Sequence, residues 1–95
     1  MIRNQFMMSE SDIPITFIVY GRKECHLCQE MILALSKLQK QVLFRFQVID
    51  IDHHPELIVL YGDKVPVLVT LADKEEVCHY HLDMAALDAY FTKIR

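Results

Sequence analysis

The chain is most constrained by Cys25-His26-Leu27-Cys28, two thiols set two residues apart where an apolar run gives way to a helical pattern. The run before it, Ile15-Thr16-Phe17-Ile18-Val19, reads as a short buried strand, and Leu27, Met31, Leu35 and Leu38 recur behind it at helical spacing. With Cys25 at the cap position, Cys28 falls three residues on, in the first turn and on the same side of the helix. The unpaired amides and partial positive charge of a helix N-terminus stabilise an anion, so a thiol held there ionises more easily than a free one. Arg22 and Lys23 are expected to push the same way. Cysteine pairs of this kind have nucleophile pKa values from about 3.5 to about 7, against roughly 8.5 for a free thiol. The pair is therefore read as a reactive dithiol, with Cys25 the attacking sulfur and Cys28 the resolving one.

Two plainer readings stand beside this one. Half of a zinc site needs two further ligands, which Cys78, His79 and His81 could supply, although no second close cysteine pair exists. A purely structural disulfide closing so small a ring would remove little entropy from the unfolded chain, because the stabilisation grows with loop length.

Ninety-five residues with 53% hydrophobic content make one small domain with a core of its own. The net charge of −3 points to no nucleic-acid partner and no anionic membrane. Three cysteines with one close pair do not form the even framework of a small secreted protein. Met1 to Asp12 lacks the apolar core of a signal peptide, and no run approaches the roughly 18 apolar residues that span a membrane. The expected setting is the thiol-reducing cytoplasm, where a close cysteine pair is more often catalytic or metal-binding than structural.

In chain order, residues 1–12 read as a flexible tail and 13–95 as the folded domain. Ile13 to Tyr20 is expected as a strand buried on both faces, followed by a helix from Cys25 to about Gln39. Val42 to Ile51 reads as a second strand, with Phe44, Phe46 and Val48 on its packed face. Asp50, Asp52, His53 and His54 follow at the strand's end, where Asp52 and the histidines read as capping and loop residues rather than metal ligands, and Pro55 opens a short helix with Leu57, Leu60 and Tyr61 facing inward. Gly62 is expected in the left-handed conformation that stops a helix. Lys64 to Leu71 and Glu76 to His81 read as a hairpin around the turn Ala72-Asp73-Lys74-Glu75. Asp83 is placed to cap the last helix while Leu82 packs on Leu87, with Met84, Leu87, Phe91 and Ile94 on its buried face. Cys78 is taken as a small buried core residue. The order is β-α-β-α-β-β-α, a four-stranded mixed α/β sheet with three helices.

A close cysteine pair at the start of the helix after the first strand, joined to Val65-Pro66 entering the third, resembles the thioredoxin-fold superfamily and, within it, the small glutaredoxins. The resemblance covers Ile13 to Arg95. It is carried by Tyr20-Gly21-Arg22-x-x-Cys25-x-x-Cys28 and Tyr61-Gly62-x-x-Val65-Pro66-Val67, and is greatest to short glutaredoxin-like proteins with a Cys-His-Leu-Cys motif.

The resemblance implies a cis bond before Pro66, facing the dithiol, with the extended backbone of Val65 pairing with an incoming peptide or with glutathione as an added strand. It also implies substrate contacts from Arg22, to a glutathione carboxylate, from His26 and Leu27 between the cysteines, and from Asp83, to the glutathione amine. Glutaredoxins carry a Gly-Gly turn after the fourth strand; here that region reads His79-Tyr80-His81-Leu82-Asp83. A charged His26 would stabilise the thiolate and make the pair more oxidising. The implied activity is thiol-disulfide exchange with a disulfide-containing protein or a glutathione adduct, with glutathione a possible co-substrate, a separate reductant recycling the pair, and no bound cofactor. The alternatives are a metal-binding or delivery module built on the cysteine pair and a binding domain without turnover.

Overall fold

Val, Ile and Phe with no polar alternation favour a strand enclosed on both sides, and Ile15–Gly21 forms such a strand, β1, buried from Phe17 onward. The structure, a computed structural model, describes residues 15–94. The expected tail and the expected strand start at Ile13 and Pro14 lie outside those residues. Along the chain follow α1 (His26–Leu38), β2 (Phe44–Asp50), a 3-10 turn at Ile51–His53, α2 (Pro55–Tyr61), β3 (Val67–Thr70), β4 (Glu76–His79) and α3 (Met84–Lys93). The sheet runs β2-β1-β3-β4, with β1 and β2 parallel and the other two pairings antiparallel. This is the thioredoxin-like arrangement of four strands and three helices.

Alternate side chains of β1 enter two separate cores, as the period of a strand requires. Phe17 and Val19 pack with Met31 and Leu35 of α1, Phe44, Leu68, Cys78, and Leu87 and Phe91 of α3. Ile18 and Tyr20 pack with Ile51, Val67 and Val69, beneath Leu57, Ile58 and Tyr61 of α2. Thus α1 and α3 cover one face of the sheet and α2 the other. Edge-to-face rings of Phe44, Tyr90 and Phe91 surround Phe17, with centroids 5.6 to 5.9 Å away. No helix among the described residues is long and apolar enough to cross a membrane.

Several expected core positions are not core. Val48 is half exposed: it lies on β2, an edge strand, and belongs to neither core. Leu60 is 60% exposed while Ile58 takes the inward place, since α2 is only seven residues long and rests on the sheet along Leu57, Ile58 and Tyr61. Met84 and Ile94, at the two ends of α3, are exposed, and Tyr90 packs in their stead. Gly62 is not left-handed: its φ is −55°, it continues the helical turn, and its N–H donates to the Ile58 carbonyl at 2.8 Å. Among the described residues, φ is positive at Lys74 and Tyr80.

Candidate active site

The end of β1 is where three segments converge. Gly21 is in register with Asp50 of β2, and the antiparallel pairing of Tyr20 with Val67, continued by one residue, sets Pro66 on the other side of Gly21. The bond between Val65 and Pro66 is cis. Gly21 is buried, and a Cβ there would lie 3.0 Å from Cys28 Sγ, so the glycine lets α1 seat its buried sulfur against the strand end. Dithiol, strand ends and prolyl segment therefore share one corner of the molecule.

Cys25 is the N-cap of α1, with extended backbone (φ −133°, ψ 107°). Its Sγ accepts the Cys28 N–H at 3.1 Å, and its carbonyl accepts the Gln29 N–H at 3.1 Å. The sulfur thus takes the place an oxygen holds in an ordinary cap, facing the free amides of the first turn. No acidic residue occupies that turn to offset the positive end of the helix dipole, and Lys37 lies in the last turn, where a cation is favourable. The two cysteines are joined as a disulfide with Cα atoms 5.1 Å apart. Cys25 is half-buried and Cys28 is 3% exposed.

The residues around the pair are placed less uniformly. His26 projects into solvent with its Nε2 2.8 Å from Glu30 Oε2, one helical turn on, and Leu27 is half-buried. Arg22 does not stand free beside the thiol: Nε donates to Asp52 Oδ1 at 3.0 Å and Nη1 to the Gly62 carbonyl at 3.3 Å. Its charge is offset by an acid rather than lent to Cys25. Asp52, expected as a cap, is instead the partner of Arg22, and the capping oxygen of the 3-10 turn comes from Asp50, which accepts the Asp52 N–H at 2.9 Å.

Val65 is half-buried and Pro66 buried, and the Pro66 carbonyl accepts the Tyr80 N–H at 2.8 Å. Tyr80 has φ 65°, in a tight turn closed by the His81 N–H on the His79 carbonyl, and its hydroxyl donates to the Asp63 carbonyl at 2.8 Å. Asp83 caps α3, its Oδ1 accepting the Ala86 N–H at 3.1 Å. Cys78 is a free buried thiol in the α1–α3 core, and burial pushes its pKa up, against a smaller opposing effect of the Asp83 backbone N–H. Among the described residues no three His, Cys, Asp or Glu side chains are grouped to hold a metal ion.

Among the neighbours of the site, sequence reasoning gave Asp52 only a capping role, named Gly21 and Tyr80 without assigning them one, and passed over Glu30. An acidic pair at the end of the strand parallel to β1, opposite an arginine at the end of β1 itself, is the signal that would have found Asp52.

Fold and corner together define a thioredoxin-fold protein with a cysteine pair at the start of its first helix. The family model described as Glutaredoxin-like domain (DUF836) matches residues 16–92, and the chain belongs to that family. A solution structure of protein Ne2328 from Nitrosomonas europaea is similar at 46% identity and TM-score 0.77, over 87% of this chain and 98% of that one. A crystal structure of a target protein from X. campestris is 28% identical, with TM-score 0.62 over 81% and 96% of the two chains. Thioredoxin 1 from Thermosipho africanus, at 15% identity and TM-score 0.57 over 82% of this chain and 96% of that one, shares the fold. No curated protein matches the chain.

Proposed function

We propose that the protein is a thiol-disulfide oxidoreductase whose working groups are Cys25 and Cys28. The observation that carries this is the asymmetry of the pair: Cys25 is half-exposed with its sulfur acting as a helix cap, and Cys28 is buried. An accessible thiolate at a helix N-terminus is a good nucleophile and leaving group, and a buried neighbour resolves its adducts without competing for substrate.

Starting from the reduced pair, the Cys25 thiolate attacks one sulfur of a substrate disulfide. A mixed disulfide forms, and the other substrate sulfur leaves as a thiolate that takes a proton from water. Cys28, losing its proton, then attacks Cys25 Sγ. The second substrate thiolate departs, and the Cys25–Cys28 bond holds the oxidation equivalent of two electrons. The structure has the connectivity of this oxidised state. A thiol reductant, glutathione or a dithiol protein, restores the pair. The Val65 backbone beside Pro66 offers main-chain groups on which an extended substrate can align.

Cys25→Ser is expected to abolish reduction of insulin and of glutathione adducts, measured by thiol release. Cys28→Ser is expected to accumulate a Cys25 mixed disulfide, seen as a mass increment on the intact protein. Unchanged turnover in Cys25→Ser ends the proposal.

A further inference from the structure

The rim of the cysteine corner pairs its basic groups with the protein's own acids. Arg22, three residues before Cys25, is half-buried and spends Nε on Asp52 Oδ1 and Nη1 on the Gly62 carbonyl. His26 is closed by Glu30 at 2.8 Å. Lys23 and Glu24, both exposed in the same loop, add one charge of each sign. The acid that takes Arg22 is itself held in place, because its backbone N–H donates to Asp50 Oδ1 and Asp50 is in register with Gly21.

A substrate carboxylate that takes Arg22 as its partner has to displace Asp52 from it and then lie beside that acid. An extended protein segment bound through its backbone meets neither cost. We infer that Asp52 is a specificity-determining residue. By occupying Arg22 it turns the site toward disulfides carried on protein segments and away from small disulfides with carboxylates close to the sulfur, such as glutathione adducts. This rests on the oxidoreductase reading of Cys25 and Cys28.

The test uses the full chain, prereduced, in single-turnover stopped-flow reactions with two probes: a mixed disulfide of glutathione with a small thiol, and the same compound with its glutathione carboxylates esterified. Insulin serves as the protein disulfide. An exposed ion pair of this kind competes modestly, so Asp52→Asn should raise the second-order rate constant for the free acid by about 2- to 5-fold. Asp52→Ala, which also removes the acceptor, should do so at least as strongly. The rates for the ester and for insulin should hold, and Arg22→Gln in the Asp52→Asn background should erase the gain.

Equal changes for acid and ester would mean that Asp52 acts on Cys25 reactivity in general, and would overturn the inference. No change in either variant, with the wild type active, would overturn it as well while leaving the oxidoreductase reading intact. A reduced wild type that reacts with none of the three substrates would sink both.

Discussion

Gly21 decides how closely the buried sulfur can approach the strand that supports it. A methyl group there would meet Cys28 Sγ at 3.0 Å and Cys28 Cβ at 3.3 Å, inside ordinary contact distance, and neither neighbour is the far end of a flexible chain. Overpacking of this kind typically costs about 1–3 kcal/mol. Gly21→Ala is expected to lower stability by an amount in that range and to push Cys28 out of line with Cys25. The resolving step should slow more than the first attack, so the Cys25 mixed disulfide should persist longer than in the wild type when reactions are acid-quenched and weighed. Equal lifetimes would show that the close approach has no bearing on the chemistry. The apolar run before the cysteines and the helical spacing of Leu27, Met31, Leu35 and Leu38 after them placed the two sulfurs at a helix start, because both patterns are local. The Arg22–Asp52 pair was not legible from local pattern, since it joins residues thirty apart that meet only once β1 and β2 lie side by side.

At the level of elements, the turn between β4 and α3 carries a backbone conformation that its sequence does not advertise. Tyr80 is left-handed at φ 65°, where a Cβ crowds the following carbonyl, and it is fastened at Pro66 by its N–H and at Asp63 by its hydroxyl. At most positions alanine is more stable than glycine; here the order should invert. Tyr80→Gly is expected to be more stable than Tyr80→Ala by about 1 kcal/mol in urea denaturation, and an alanine variant at least as stable as the glycine one would show that the turn relaxes instead. The elements themselves were readable because each one's apolar period, 2 or 3.6, is a local property. Which apolar residues ended up outside was not. Val48, Leu60, Met84 and Ile94 sit on an edge strand, on a two-turn helix and at helix ends, where packing is decided by how far a neighbouring element extends. Gly62 shows the same limit: glycine permits a left-handed stop without requiring one, and here the chain keeps turning as in a helix.

Across the whole molecule, β1 divides its side chains between two cores while its end presents the cysteine corner, so the stability of the sheet and the geometry of the site are one problem. The hairpin of β3 and β4 completes the sheet on the side that brings Pro66 to Gly21, and its charged fastenings make it sensitive to acid. Glu76 accepts from Lys64 Nζ at 3.1 Å and lies 2.7 Å from His79 Nδ1; the His79 contact first, and Lys64 after it, hold its carboxyl below its ordinary value of 4.5. In the adjoining turn the Thr70 hydroxyl, and then the Glu75 backbone N–H, hold Asp73 below its ordinary 3.8. A carboxylate depressed in the folded state is protonated first in the unfolded chain as pH falls. Its contribution is therefore complete above the ordinary value and is lost as pH drops through the lower folded value. For Glu76 the loss begins below pH 4.5, and for Asp73 below 3.8. Urea midpoints should therefore fall from pH 5 to pH 3. Glu76→Gln should start from a lower midpoint at pH 7 and fall less steeply, and the difference between the two proteins isolates Glu76 from every other titrating group. If wild type and Glu76→Gln lose stability in parallel over that interval, the Lys64–Glu76–His79 cluster contributes nothing to the acid response of the fold.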